Sequence, residues 1–198
     1  MQRVFPLLAS VLCVLAVSCK PDAHSAHAAP LNSGSAGPVV ELAVLPNNAA
    51  VLNVGARLLA LQGDNQVLWE LNLPDDDAAI APLAVALNSM TYVRGNKGLY
   101  AFAPDGKLAW KKPLDGGTRG ARALDAPVAL TDSTPAIMMG NDVVRFDHAG
   151  AIKWRVSLPE GQQVGRLSAT MDGSVLIPST AGIYSVTGDG NVAWRHPL

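Results

Sequence analysis

The four tryptophans of this chain, Trp69, Trp110, Trp154 and Trp194, stand 41, 44 and 40 residues apart. A period near 40 is the mark of stacked supersecondary units, none of which can bury its own apolar face alone. Aligned on the indole, the residue two before it is always aliphatic: Val67, Leu108, Ile152, Val192. The residue four after it is always leucine: Leu73, Leu114, Leu158, Leu198. Residues two and four apart on a strand share a face. A strict period of two therefore puts aliphatic, Trp and Leu on one apolar face.

A turn precedes each of these strands. Asn65, Gly106, Gly150 and Gly190 lie four before the Trp, three of them after an Asp. Such residues supply the positive φ of a tight hairpin. Upstream lies a second strand, with Leu59 and Leu61, Tyr100 and Phe102, Val144 and Phe146, Tyr184 and Val186 on a consistent face. Two further apolar runs, separated by Pro46-Asn47-Asn48, Asn88-Ser89, Asp132-Ser133 and Asp172-Gly173, complete each unit. The expectation is all-β: four four-stranded antiparallel meanders, the blades of a propeller, over about 39–74, 79–114, 126–159 and 164–198. Runs this short, with Gly and Asp at the turns, argue against a helical repeat. The four tryptophans are expected to be largely buried where neighbouring blades dock, a structural role.

The units resemble the pyrroloquinoline-quinone-type (PQQ-like) β-propeller repeat. The residues that carry this are Gly98-Leu-Tyr-Ala-Phe-Ala-Pro-Asp-Gly-Lys-Leu-Ala-Trp110 and Gly182-Ile-Tyr-Ser-Val-Thr-Gly-Asp-Gly-Asn-Val-Ala-Trp194. The resemblance covers about residues 40–198 and specifies the repeat, not quinone binding. The family's Asp after the apolar strand is kept only as Asp147, against Gln62, Ala103 and Thr187. The adjacent cysteine pair of the quinone dehydrogenases is missing. No cofactor is expected.

The amino terminus carries one early charge, Arg3, then an almost wholly apolar run from Val4 to Val17. That is too short to span a membrane but suits a signal peptide. Leu15-Ala16-Val17-Ser18-Cys19 looks like a bacterial lipobox, so residues 1–18 are expected to be a leader and Cys19 the lipidated residue. Cys13 and Cys19 are the two cysteines of the chain, which leaves none for a disulfide in the repeats. Lys20, where inner-membrane lipoproteins of proteobacteria usually carry Asp, favours the outer membrane. Residues 19–38, rich in Ala, Ser, Gly and Pro, are expected to be a flexible tether to the propeller at 39–198.

A net charge of −1 without a basic patch argues against nucleic acid. His24 and His27 fall in the tether, and His148 and His196 have no Cys or carboxylate cluster around them in sequence. Asp75-Asp76-Asp77 lacks the alternating spacing of a calcium loop, so a solvated inter-blade loop is the expectation there. No catalytic and no metal-binding set stands out. The loop LDGGTRGARALD, Leu114 to Asp125, is the longest connection, and Arg119 and Arg122 in it are candidates to contact an acidic partner.

Lipobox, tether, PQQ-like blades and no catalytic set together resemble the outer-membrane assembly factor B lipoproteins. That resemblance implies a non-enzymatic, lipid-anchored scaffold facing the periplasm, binding envelope proteins. The competing expectations are a quinone-binding or dehydrogenase-derived propeller, and a truncated piece of a larger propeller, since that family has eight blades. Four PQQ-like blades are expected to sweep an open arc with apolar surface on the first and last blades. Self-association of two arcs into a ring is one outcome of such exposure, and aggregation is another.

Overall fold

The computed structural model describes residues 39–54, 56–114 and 126–198. Sixteen strands form four separate four-stranded sheets. The first holds β1 (Val39–Val44), β2 (Ala50–Val54), β3 (Arg57–Leu61) and β4 (Val67–Asn72). The second holds β5 (Ala84–Val85), β6 (Thr91–Arg94), β7 (Gly98–Phe102) and β8 (Leu108–Pro113). The third holds β9 (Val128–Ala129), β10 (Pro135–Met139), β11 (Asp142–Phe146) and β12 (Ile152–Ser157). The last holds β13 (Ser168–Ala169), β14 (Val175–Ser179), β15 (Gly182–Val186) and β16 (Val192–His196). Each sheet is an antiparallel meander in chain order, and the first strands of successive sheets are neighbours. These are propeller blades, with β1, β5, β9 and β13 innermost. One three-residue 3₁₀ turn, Pro74–Asp76, is the sole helix among the described residues. Pro82 and Pro127, which have no N–H to give, stand just before the short strands β5 and β9.

The hairpins form for local reasons. Asn48, Ser89, Ser133 and Gly173 close the first hairpin of each blade at φ between 62° and 81°. An Asx side chain one residue earlier accepts the N–H two residues on: Asn47 from Ala49, Asn88 from Met90, Asp132 from Thr134, Asp172 from Ser174. Asp and Asn are favoured here because their side chains satisfy the turn's own amide.

The outer hairpins hold a feature that a period-two reading misses. In all four blades the pairing slips by one residue beside the Trp: Ala60 faces Trp69 but Leu61 faces Val67. The same slip recurs at Ala101/Phe102, Arg145/Phe146 and Ser185/Val186. The residue before each Trp is thus a bulge, and a one-residue insertion moves everything beyond it to the other face. The aliphatic residue two before the Trp does not share the indole's face, as the sequence pattern suggested. Val67, Leu108, Ile152 and Val192 are instead 41–58% exposed.

The core lies between blades. Val51, Leu58, Ala60 and Trp69 of the first blade pack against Leu83, Val93, Tyr100 and Phe102 of the second. Leu99, Trp110 and Leu114 of the second meet Ile137, Val144 and Phe146 of the third. Val143, Trp154 and Leu158 of the third meet Val175, Ile177, Tyr184 and Val186 of the fourth. Each indole is capped by the next blade's hairpin glycine. A Cβ on Gly106 would lie 2.6 Å from Trp69, one on Gly150 2.8 Å from Trp110, and one on Gly190 2.8 Å from Trp154. These glycines also have φ of 80–88°, so both backbone and contact demand the missing side chain. Asn65 takes the same place in the first blade at φ 68°. Gly150→Ala is expected to destabilise by about 2–4 kcal/mol, combining left-handed backbone strain with overpacking. Asn65→Ala should cost about 1 kcal/mol, the backbone part only. Denaturation midpoints showing equal losses would mean the indole contact carries no weight.

Candidate functional site

Strand 2–3 turns and inter-blade connections share one rim of the arc, because every blade is an up-and-down meander. Backbone bonds tie the two kinds of segment together: Leu73 N–H to Ala56 O (3.3 Å), Leu114 to Lys97 O (3.1 Å), Leu158 to Asn141 O (3.0 Å). Each leucine anchors the start of a connection. This rim is the candidate binding surface, and Leu114 leads into the loop bearing Arg119 and Arg122, which lie outside the described residues.

The best-built group on the rim centres on Asp77, which is 2% exposed. Its Oδ1 accepts the N–H groups of Ala78 (2.8 Å) and Asn96 (2.9 Å). Its Oδ2 accepts the N–H of Lys97 (2.9 Å) and the hydroxyl of Tyr100 (2.8 Å). Gly95 is needed alongside, since a Cβ there would stand 2.2 Å from Oδ2. Burial works to raise the Asp77 carboxyl, but the bonds from Lys97, Tyr100, Ala78 and Asn96 outweigh it and hold the group below its ordinary range. Burial, and then the bond to Asp77, push the Tyr100 phenol upward. Asp75 and Asp76 sit at φ 61° and 51°. Asp75 takes the Lys97 ammonium on its backbone oxygen (2.5 Å) and pairs with Lys111 (2.8 Å). The Asp run is therefore not uniformly a solvated loop: its last member is a buried clamp. Nothing in three consecutive aspartates marks the third as different, so sequence reasoning could not find it.

A second clamp sits where the third and fourth blades meet. Arg145, 3% exposed, donates from Nε to Thr134 Oγ1 (3.1 Å), from Nη1 to Gly188 O (2.6 Å), and from Nη2 to Asp132 Oδ2. Gly188 O also accepts Trp154 Nε1 at 3.1 Å. Burial works to raise the Asp132 carboxyl, but the Thr134 bonds and the Arg145 and Lys153 charges hold it below its ordinary value. The signal for this clamp was in the aligned units: Arg145 stands where the other blades carry Ala60, Ala101 and Ser185.

Because both carboxylates have folded pKa values below their unfolded ones, their contribution is complete above about pH 4 and is lost as pH falls through the folded values. Asp77→Asn should be clearly less stable than wild type near neutrality, and the gap in melting temperature should narrow as pH falls below about 4 toward the lowered folded value. A gap unchanged across that window would show that Asp77 acts by shape and not by charge.

The tryptophans differ in setting. Trp154 is buried, Trp69 and Trp110 are half-buried, and Trp194 is 49% exposed. The expectation of four largely buried indoles fails at Trp194, because no hairpin among the described residues covers it. Trp69 Nε1 donates to Pro104 O at 3.0 Å, one blade on. Trp110 lies 6.0 Å from both the Tyr92 and Phe146 rings. Cys19, His24 and His27 lie outside the described residues. Among the described residues no group of three or more His, Cys, Asp or Glu could hold a metal ion.

Residues 54–198 match the family described as outer membrane protein assembly factor BamB. The chain belongs to that family. No curated protein matches the sequence. Solved structures similar to this BamB-family chain include a streptogramin B lyase, 15% identical, TM-score 0.64, covering 79% of this chain and 53% of its own. BamB from Moraxella catarrhalis is 15% identical, TM-score 0.62, covering 80% of this chain and 48% of its own. Virginiamycin B lyase from Staphylococcus aureus is 13% identical, TM-score 0.61, covering 79% and 54%. At these identities the likeness is one of fold. The chain spans about half the length of each of these structures.

Proposed function

We propose that this chain is a non-enzymatic protein-binding scaffold of the bacterial cell envelope, working through the rim of inter-blade loops. The family match over residues 54–198 carries this reading. The rim chemistry supports it: Asp77 is spent on holding loop to turn, not on a reacting group. Residues 1–18 serve as a leader, Cys19 as the lipid attachment point at the outer membrane, and 19–38 as the tether. Arg119 and Arg122 supply charge to the binding rim. Full-length chain, crosslinked in cells and captured from envelope extract, should bring down outer-membrane assembly proteins, and Arg119→Glu/Arg122→Glu should weaken that capture. Recovery equal to that of an unrelated lipoprotein would defeat the reading. Labelled palmitate should enter the wild type and not Cys19→Ala.

The fold likeness to two lyases supports a second reading, an enzyme. A catalytically inactive virginiamycin B lyase, 12% identical to this chain, was solved with quinupristin, so incubation of the full chain with quinupristin and chromatography of the products separates the two. A changed profile favours the enzyme, and an unchanged one the scaffold.

A further inference from the structure

We propose that the loop rim docks on a lipid surface rich in anionic headgroups, with the opposite, hairpin rim turned away from it. The proposal rests on the anchored reading above for its setting and on the rim's own charges for its content, and its test contains no other protein.

Charge divides between the two ends of the blades. The hairpins joining first to second and third to fourth strands share the rim opposite the loops. Their turns hold Asp64, Asp105, Asp132, Asp147, Asp172 and Asp189. Near them stand Lys107, Arg145 and Lys153, of which Lys107 is paired to Asp105 and Arg145 is buried. The hairpin rim is thus acidic on balance among the described residues. On the loop rim the balance reverses, because its carboxylates are already spent. Asp77 is buried, Asp75 pairs with Lys111 at 2.8 Å, Asp142 with Arg155 at 3.1 Å and Glu70 with Arg57 at 2.7 Å. Asp76 and Glu160 remain, against Lys97, Lys112, Arg166 and Arg195, none of which makes an ion pair among the described residues. Lys97, Arg166 and Arg195 are exposed and Lys112 is half-buried. Opposite surpluses on two rims give the molecule a preferred direction in the field of a charged surface.

Why the surface is lipid follows from where the chain enters the fold. Val39 opens β1 and pairs with Val54 beside the turn between second and third strands, so residues 1–38 join the fold on the loop rim. An anchor at Cys19 would draw this rim, and not the hairpins, toward the bilayer. Cations held within a Debye length of an anionic bilayer, about 10 Å, are attracted to its phosphates. The aspartates of the hairpins are repelled by the same surface. The exposed apolar tips Leu87 and Met171 belong to the hairpin rim. The contact is therefore electrostatic, without insertion of side chains into the acyl region, and salt should dissolve it.

Vesicle flotation of the full chain carrying Cys19→Ala tests this, since no lipid anchor then contributes. The probes are vesicles of phosphatidylcholine alone and vesicles with about one third phosphatidylglycerol. The expected result is about fivefold more chain on the anionic vesicles, an excess lost at about 0.5 M salt. The amino-terminal residues are common to every variant and cancel in the comparison. Lys112→Glu/Arg166→Glu should lose most of the excess with unchanged far-UV circular dichroism. Lys112→Gln/Arg166→Gln, which reverses no charge, should lose about half of it and carries the test if the reversal disturbs folding. Asp64→Asn/Asp189→Asn changes the net charge from the other rim and should leave the excess as it is. Equal binding to both kinds of vesicle overturns the proposal in favour of apolar contact. An excess that rises with Asp64→Asn/Asp189→Asn as far as it falls with Lys112→Glu/Arg166→Glu overturns it in favour of overall charge. Bare vesicles, beside retention of the chain on immobilised polyglutamate, overturn it in favour of an acidic protein surface.

Discussion

Trp154→Ala should destabilise the propeller by about 3–5 kcal/mol, the range for truncating a buried aromatic. Trp154 is 9% exposed, lies against Gly190 of the following blade, and donates Nε1–H to Gly188 O at 3.1 Å. Truncation opens a cavity between the third and fourth blades and leaves that carbonyl to Arg145. Trp194→Ala should cost about 1 kcal/mol or less, since the indole is half in water. Urea denaturation followed by far-UV circular dichroism gives both values. Equal losses at the two positions would mean that the last blade is covered as fully as the third.

Asp132→Ala should cost about 2–3 kcal/mol, somewhat below the usual penalty for breaking a buried pair because water reaches the Asp132 side chain. The loss comes from Arg145, whose guanidinium remains 3% exposed with its counter-charge gone. Adding Arg145→Ala should recover part of that loss. The double variant restores the small residue that Ala60 and Ala101 supply at the same place in the first two blades, and it leaves no charge stranded. The checking experiment is a double-mutant cycle. Strict additivity of the two single losses would show that Arg145 is held by Gly188 and Thr134 alone. Exposed pairs, such as Arg57–Glu70 at 2.7 Å, should each contribute little.

Much of the architecture was legible because its determinants are local and repeated. Asn65, Gly106, Gly150 and Gly190 take positive φ as their residue types require, and the Asx residues of the first hairpins close their own turns. Four copies of that grammar are enough to specify four meanders. The candidate site was less legible. Asp77 looks like its two neighbours in sequence and becomes a clamp only because the Gly95–Tyr100 hairpin is folded over it.

By itself, then, the sequence determined the number of blades, their strand order and their turns, all consequences of short-range φ preferences and spacing. Tertiary structure decided which face each residue serves. The bulge before every Trp reverses the faces of the outer strand, sending Val67 outward and Trp69 inward, and a period-two pattern carries no mark of that extra residue. It also decided which indoles are buried. Burial of a Trp depends on the glycine of the next blade, a partner some 35 residues or more away, and Trp194 is the one for which no such partner stands among the described residues.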